Sequence, residues 1–243
     1  MGVLYITATP IGNLKDISLR ALEILKGVDL ILCEDTRMTK RLLERYNIKT
    51  PTLSYHQHSK LNKVKYIISI LKKGKSLALV SDSGTPGISD PGEKLISEAT
   101  KQLSAVKIIP IPGPSAVATA ASISGFPMDK FLFLGFPPTK RKRKKFFEEV
   151  LRSKYPVIFY ESPHRIIKTL KELDLEAKIY LSASRLLHSR RWQAGNLVPK
   201  IVVCRELTKK FETIYRGEIE AVIEKIEKDK IKGEFVVIVE GKT

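Results

Sequence analysis

Apolar runs alternate with amphipathic helical patterns along the first part of the chain. The runs predict strands at residues 3–8, 29–33, 77–80 and 106–111, and helical spacing predicts helices at 61–71 and 93–103. Leu19, Leu22 and Leu25 recur at helical spacing after Ser18, a residue type that commonly caps helices. This alternation is typical of a mostly parallel sheet whose strands are joined by crossover helices.

The second part of the chain has more closely spaced strand candidates and fewer helices between them. The candidates are residues 131–136, 157–160, 179–182, 201–204 and 235–239. We therefore expect a mixed sheet with antiparallel pairs. The small residues at 116–124 predict a tightly packed helix, and the cluster PGPSA at 112–116 marks a domain boundary. The sequence thus predicts two α/β domains, residues 1–112 and 113–243.

The charge of the chain changes the picture by pointing to a class of partner. Lys and Arg number 43 against 26 Asp and Glu, so the formal net charge is +17. Such a field attracts polyanions, and nucleic acid is the partner that we expect. No apolar run approaches the roughly 20 residues of a membrane-spanning helix, and no signal-peptide pattern opens the chain. We expect a soluble, cytoplasmic protein with no membrane partner.

Several common kinds of site have no signature in the sequence. Neither a GxGxxG turn, a GxxxxGK[ST] loop nor a GxSxG elbow occurs. Cys33 and Cys204 lie far apart in apolar runs, which favours buried thiols over a disulfide or a metal site. His56 and His58 form an isolated HxH, which favours a solvated or hydrogen-bonded pair over metal ligands.

Polar turns follow successive predicted strands. They are TPIGN (9–13), EDTR (34–37), SDSGTPGISDPG (81–92), PGPSA (112–116) and YESPHR (160–165). In open α/β sheets ligands bind outside the carboxyl ends of the strands, so we expect these loops to converge on one cleft. Glycines there allow backbone groups to approach a ligand closely. Such a cleft suits a flat, zwitterionic cofactor.

These turns, together with FLGFPP (133–138), RELTKKFET (205–213) and GEFVVIVEG (233–241), carry a family resemblance. The chain resembles the ribosomal RNA small-subunit methyltransferase I family of the tetrapyrrole-methylase (class III) superfamily. It departs from the family at Ser83, where an alanine is expected. The segment between Arg165 and Arg205 is also longer than expected, and it carries Arg185, Arg190, Arg191 and Trp192. That composition suits RNA contact, and a solvated insertion explains it equally well.

The resemblance implies the fold, the cofactor and the substrate. It implies a two-domain class III methyltransferase that binds S-adenosylmethionine in the cleft between its domains, acts on a cytidine ribose 2′-hydroxyl of 16S rRNA in the small ribosomal subunit, and forms a homodimer. The implied cofactor-binding residues are Pro10, Ser83, Gly84, Thr85, Pro86, Ile88, Ser115, Ala116, Tyr160, Glu161 and Leu207. Residues expected to contact RNA are Arg37, Lys140, Arg141, Lys142, Arg143 and Arg165.

The basic run KRKRKK at 140–145 favours phosphate contact over a merely solvated helix start. Like charges are unfavourable at the positive end of a helix dipole, and an external polyanion would offset that cost. Ion pairs inside the cleft explain Arg37 and Arg165 as well as RNA contact does. Arg205 and Glu206 are expected to form structural salt bridges, and Lys209 and Lys210 could instead face RNA.

Two aspartates of the loop at 81–92 are candidates for assisting methyl transfer. A ribose hydroxyl is a poor nucleophile, and a carboxylate within reach of its proton would help. Asp82 directly follows a strand and is expected to serve the turn, so Asp90 is the predicted catalytic residue. The alternative is that Asp90 caps the helix after Pro91.

Two other functions stay open at this point. A small-molecule methylase of the tetrapyrrole type would share the cofactor loops, but it has no need of a charge of +17. A non-catalytic RNA-binding protein of the same fold would keep the basic surface and lose affinity for S-adenosylmethionine, which calorimetry would reveal.

Overall fold

The computed structural model describes residues 2–56, 61–90, 92–186 and 199–242, with the side chains of 183–186 left out. The chain divides into two compact units, Met1–Ser115 and Ala116–Thr243. Among the helices of the described ranges, none combines the length and the apolar character needed to cross a bilayer.

The first unit is built on a sheet of parallel strands. The strands are β1 (Val3–Thr7), β2 (Leu30–Cys33), β3 (Thr52–Ser54), β4 (Ser76–Leu79) and β5 (Lys107–Ile111), in the spatial order β3-β2-β4-β1-β5. A 3₁₀ turn at Leu14–Asp16 and the helices α1 (Leu19–Gly27), α2 (Thr36–Arg45), α3 (Leu61–Lys72) and α4 (Glu93–Gln102) connect them. The predicted α/β domain with a parallel sheet is confirmed.

Helix α1 shows how the sequence sets an element of this unit. The Ser18 hydroxyl oxygen accepts a hydrogen bond from the Ala21 N–H at 3.1 Å, which satisfies a donor that the first turn leaves open. Ala21 and Leu25, one turn apart, are fully buried. The predicted cap is confirmed. Of the three predicted apolar positions, only Leu25 is buried, whereas Leu22 is half-buried and Leu19 is 79% exposed.

Strand β5 lies at one edge of the first sheet. Within the described part of the chain its one strand partner is β1, and Pro110 stands opposite Ile6 in that pairing. Lys107 and Pro110 are exposed, whereas Ile111 at the end of the strand is buried.

The second unit contains a mixed sheet, as expected. Its strands are β6 (Leu132–Phe133), β7 (Val157–Glu161), β8 (Lys200–Arg205), β9 (Thr213–Glu218) and β10 (Phe235–Val239), in the order β6-β7-β10-β8-β9. The pair β6·β7 is parallel and the other pairs are antiparallel. The helices are α5 (Ala116–Ser122), α6 (Arg143–Arg152), α7 (Ile166–Leu186) and α8 (Ile219–Glu227). Central strand β10 is buried along its whole length.

The strand predicted at residues 179–182 is wrong, because these residues belong to α7. Leu173, Ala177 and Leu181 are buried at four-residue spacing, whereas Ile179 is exposed. The pattern is therefore one face of a helix and not a strand. Arg190, Arg191 and Trp192, predicted to suit RNA contact, lie outside the described residues.

Candidate functional site

The loops that follow the parallel strands lie together at the carboxyl end of the first sheet. Because β2, β4, β1 and β5 are neighbours and run in the same direction, the segments after them lie side by side at their carboxyl ends. These segments are residues 34–35, 80–90, 8–13 and 112–115, and four of the five predicted polar turns supply them. The fifth, YESPHR, belongs to the second unit.

Backbone hydrogen bonds fasten the loop after β1 to the loop after β4. The Thr9 N–H donates to the Gly84 carbonyl at 2.9 Å, and the Gly84 N–H donates to the Thr9 carbonyl at 3.1 Å. The Thr9 hydroxyl also donates to the Ser81 carbonyl at 3.1 Å. The hydroxyl of Ser81 in turn donates to the Ser83 carbonyl at 3.2 Å. The small hydroxyl residues of this stretch therefore shape the loop from within.

Gly84 is the tightest point of this arrangement. Its φ is +82°, and a Cβ there would lie 3.3 Å from Ile11 Cγ2, so a side chain would be both strained and crowded. The neighbouring Thr85 hydroxyl donates to the Pro114 carbonyl at 3.2 Å, which ties this loop to the one after β5. Three loops are thus joined around Gly84.

The structure brings together the cofactor-binding residues predicted in the first unit. Pro10 lies in the loop after β1, Ser83 to Ile88 lie in the loop after β4, and Ser115 follows Pro114. Pro10, Gly84 and Pro86 are buried, Ser83, Thr85 and Ser115 are half-buried, and Ile88 is exposed. Ala116 is the first residue of the second unit.

Asp82 and Asp90 occupy different positions on the same loop. The Asp82 carboxylate accepts a hydrogen bond from the Asp35 N–H at 3.0 Å, so Asp82 fastens this loop to the start of α2. Asp90 is half-buried. The alternative that Asp90 is the N-cap of the next helix is wrong, because the N-cap position of α4 is Gly92.

Asp90 has a raised pKa of about 6. Burial is the main cause, and the nearby carboxylates of Glu34 and Asp82 add to it, while a hydrogen bond with Ser81 acts in the opposite direction. Burial and Asp82 also raise the pKa of Glu34. A carboxyl group with such a pKa is mostly ionised at neutral pH, and its carboxylate is a better proton acceptor than that of an ordinary aspartate.

Arg37 and Asp35 form a pair at the start of α2. The Asp35 carboxylate accepts from the Arg37 N–H at 2.8 Å and pairs with its guanidinium at 2.8 Å. The guanidinium lowers the pKa of Asp35 to about 2. The Arg37 side chain is 88% exposed, so it can reach an external anion only while sharing its charge with Asp35.

In the second unit, Glu161 is turned inward. It ends β7 with a fully buried side chain, and its carboxylate accepts from the Ser162 N–H at 2.7 Å and the Thr169 hydroxyl at 2.6 Å. The Arg165 guanidinium completes the set at 2.7 Å. A cofactor contact from Glu161 would therefore have to come from its backbone.

Arg143 differs from the rest of the basic run. It is buried, and its guanidinium donates to Glu172 at 2.6 Å, to the Pro138 carbonyl at 2.7 Å and to the Thr169 hydroxyl at 2.9 Å. The RNA contact predicted for Arg143 does not fit this position. Lys140, Arg141 and Lys142 are exposed, as such a contact requires.

The turn after β8 accounts for several of the remaining predictions. Arg205 pairs with Asp229 at 3.0 Å, and Lys209 pairs with both Glu206 and Glu234 at 2.9 Å, so the expected salt bridges are present. Lys209 is therefore engaged within the unit. Leu207, which lies between Glu206 and Lys209 in the sequence, is buried, so its backbone is the part that could contact a cofactor.

The two cysteines are buried, as expected. Burial raises the pKa of both thiols, that of Cys204 to about 11. They are therefore packing residues and not nucleophiles.

Sequence reasoning missed Phe136, Thr169 and Glu172. Phe136 is 53% exposed and packs edge-on against Tyr160 with ring centroids 5.4 Å apart. An aromatic residue directly before Pro137, Pro138 and a basic run was a signal available in the sequence. Thr169 and Glu172 gave none, because their partner Arg143 could not be told from its basic neighbours by composition.

Comparison with known proteins places the chain among methylases. Residues 3–223 match the tetrapyrrole (corrin/porphyrin) methylases. The chain is 39% identical over 242 residues to the ribosomal RNA small subunit methyltransferase I of Thermotoga maritima, with 100% of both chains covered. The protein of the same name from Halalkalibacterium halodurans is 43% identical over 241 residues, with 99% of this chain and 76% of the relative covered.

Solved structures share the fold at low sequence identity. Diphthine synthase superposes with a TM-score of 0.72 at 14% identity, covering 100% of this chain and 91% of that chain. A cobalt precorrin-4 methyltransferase gives 0.65 at 16% identity, covering 98% of this chain and 94% of that chain. Identities this low establish a common α/β architecture and nothing about substrate.

Proposed function

Because the chain belongs to the ribosomal RNA small subunit methyltransferase I family, we propose that it transfers a methyl group from S-adenosylmethionine to a cytidine ribose 2′-hydroxyl of 16S rRNA. The observation that carries the proposal is the group of joined loops around Gly84, with the half-buried Asp90 beside them. The small ribosomal subunit is the proposed partner, and the cytoplasm is the proposed compartment. A homodimer, as the family resemblance implies, is part of the proposal.

The loops at the edge of the first sheet fit a zwitterionic cofactor. Ser83, Thr85 and Ser115 are half-buried polar residues, and the glycine at position 84 keeps the backbone clear of a side chain. Pro10, Pro86, Ile88 and Ala116 complete the proposed contacts on this side. Tyr160, Glu161 and Leu207 stay predictions, the last two through their backbones. When bound, the cofactor supplies an electrophilic methyl group on its sulfonium.

Asp90 is the proposed proton acceptor for the ribose hydroxyl. Methyl transfer needs the attacking oxygen in line with the methyl carbon, so much of the rate comes from alignment. A carboxylate with a pKa of about 6 is ionised at neutral pH, yet it is more basic than an ordinary aspartate. Asp90 can therefore both orient the hydroxyl and take its proton. Glu34 and Asp82 act on Asp90 by keeping its pKa raised.

Exposed cations of the second unit are the proposed contacts for RNA phosphates. Lys140, Arg141 and Lys142 lie in an exposed loop, and helix α6 that follows has no acidic residue in its first turn. This positive charge stands beside the positive end of a helix dipole, where an external anion is favoured. Neither alternative function explains both features, because a small-molecule methylase of the tetrapyrrole type has no need of a charge of +17 and a non-catalytic binding protein needs no Asp90 with a raised pKa.

Transfer of labelled methyl from S-adenosylmethionine tests the proposal. The protein is incubated with assembled small subunits and, separately, with naked 16S rRNA, and nuclease digestion then locates the label. We expect label on a cytidine ribose in one of the two RNA forms. Label on a base, or no label on either form, would overturn the proposed reaction. Sedimentation analysis of the free protein tests the homodimer.

A further inference from the structure

Two guanidinium groups, that of the buried Arg143 and that of the half-buried Arg165, hold the loop that leads from β6 to α6. Arg165 donates to the Pro137 carbonyl at 3.1 Å, and Arg143 donates to the Pro138 carbonyl at 2.7 Å. Two residues before Pro137, the Gly135 carbonyl accepts from the Tyr160 N–H at 2.8 Å. Carbonyl groups along the loop are therefore fixed from the protein side.

The two arginines are themselves joined through buried polar groups. Arg143 donates to the Thr169 hydroxyl at 2.9 Å, and that hydroxyl donates to the Glu161 carboxylate at 2.6 Å. The same carboxylate pairs with Arg165 at 2.7 Å. Every charge in this chain of contacts is compensated, which is the condition under which a buried polar network rigidifies its surroundings. The loop is thus ordered before any ligand arrives.

This ordered loop presents an aromatic ring together with cations. Phe136 is 53% exposed, and its ring contacts Tyr160 edge-on, which leaves a face of the ring for another group. Lys140, Arg141 and Lys142 follow within six residues and are exposed. Lys142 has a left-handed φ of 68°, an uncommon conformation for a residue with a side chain. An exposed aromatic ring beside several cations is the combination that binds single-stranded nucleic acid.

We propose that residues 136–142 form a preordered RNA-binding loop in which Phe136 stacks on an unpaired nucleobase and Lys140, Arg141 and Lys142 contact the adjoining phosphates. Arg143 and Arg165 are positioning residues that hold this loop and do not contact RNA. The inference rests on the proposed function for its choice of RNA as ligand. It adds a residue that contacts a nucleobase and so favours nucleic acid, whereas the basic charge alone would bind any polyanion.

RNA binding at several salt concentrations separates the two kinds of contact. The probe is a 16S rRNA fragment, and binding is measured without S-adenosylmethionine. Phe136→Ala should weaken binding about tenfold at every salt concentration, since stacking is not electrostatic. Lys140→Ala should instead lower the slope of log K against log salt by about 0.7 to 0.9 for the lost phosphate contact. An unchanged slope in Lys140→Ala, or a changed slope in Phe136→Ala, would contradict the assignment.

Tyr66→Ala is the matched control. Tyr66 is 56% exposed and lies beside Lys65 on α3, so it has a similar exposure and a neighbouring cation without a clamped loop. We expect its affinity for the RNA fragment to stay within twofold of the unmodified protein. Equal losses in Phe136→Ala and Tyr66→Ala would overturn the proposal. A loss of S-adenosylmethionine affinity in Phe136→Ala, with RNA affinity intact, would also overturn it and would assign the ring to the cofactor.

A double-mutant cycle tests the positioning role. The cycle uses an Arg165→Gln variant that still unfolds cooperatively. In that variant, Phe136→Ala should lower the affinity for the RNA fragment less than threefold, because the loop no longer holds the ring in place. A full tenfold cost in that background would show that Arg165 does not position Phe136. The RNA-binding proposal can also be judged separately from the proposed reaction. If the unmodified protein transfers no methyl group but its RNA binding still depends on Phe136, only the proposed reaction is overturned.

Discussion

Two groups of loops are held together by different chemistry: the loops at the carboxyl end of the first sheet, called here the first edge, and the loops beside the end of β7 in the second sheet, called the second edge. At the first edge, backbone groups and small hydroxyls make the contacts, as between Thr9, Ser81 and Gly84. At the second edge, guanidinium and carboxylate side chains do so, as between Arg143, Arg165 and Glu161. The first edge therefore contains a carboxyl group with a raised pKa, Asp90, whereas the charged groups of the second edge pair with one another and hold a loop.

The largest expected effect falls on the second edge. Replacing Arg143 with methionine removes three hydrogen bonds and leaves the buried Thr169 hydroxyl and the half-buried Pro138 carbonyl without their donor. We expect a loss of about 3 kcal/mol in the free energy of unfolding, measured by denaturant titration. Lys144→Met, an exposed change one residue away, should alter it by less than about 0.5 kcal/mol. Similar values for the two variants would show that the arginine network contributes little.

At the first edge, the corresponding change should affect catalysis. Asp90→Asn should lower the rate of methyl transfer by about a hundredfold, since an amide cannot accept the ribose proton. Asp82→Asn is the control, because an amide oxygen can still accept the Asp35 N–H. We expect that variant to keep its rate within about fivefold. Full turnover by Asp90→Asn would exclude Asp90 as the proton acceptor.

The same residue should also affect stability, with the opposite sign to Arg143. The pKa of Asp90 is about 6 in the folded protein against 3.8 in the reference state, so ionisation disfavours the folded chain. Its contribution to stability is complete below the unfolded pKa and is lost as the pH rises through about 6. Asp90→Asn should therefore exceed the original protein in stability by on the order of 1–2 kcal/mol at neutral pH. The free energies of unfolding of the two proteins, measured by denaturant titration at a series of pH values, should converge in acid. A difference between them that stays constant across the pH range would contradict the raised pKa of Asp90.

The smallest expected effect compares two glycines of the loop after β4. Gly84 and Gly87 both have positive φ, at 82° and 88°, but only Gly84 has a side-chain neighbour within van der Waals contact of an added Cβ. Both alanine variants carry the conformational strain, so the difference isolates the contact with Ile11. We expect Gly84→Ala to be less stable than Gly87→Ala by about 1 kcal/mol and to bind S-adenosylmethionine more weakly. Equal stability would mean that Ile11 moves aside without cost.

The sequence was most informative where one local pattern decides the structure. Apolar runs followed by turn residues predicted β1, β2, β4 and β5, and Ser18 predicted the start of α1. The three-residue strand β3 and the largely polar helix α2 were missed, because neither has enough apolar periodicity to stand out. Residues 179–182 were wrong because four residues of a helix can look like a short strand.

The site was predictable as a set of loops but not as a set of interactions. The separation of Asp82 from Asp90 followed from their places in the loop. The raised pKa of Asp90 could not be predicted, because it depends mainly on burial in the folded chain and to a lesser extent on Glu34, which follows a different strand. Arg143 was misassigned with its basic neighbours. Its spacing of four and seven residues from the buried Phe147 and Val150 places it on the inner face of α6, and that spacing could have revealed its role.

The proline in β5 bears on how the outer edge of the first sheet avoids pairing with other chains. A free sheet edge can recruit strands from other molecules, which leads to aggregation. Pro110 has no N–H to offer such a strand, and the exposed Lys107 places a positive charge on the same edge. Strand β5 therefore pairs with β1 on one side, and its other side is poorly suited to pairing with a strand of another molecule.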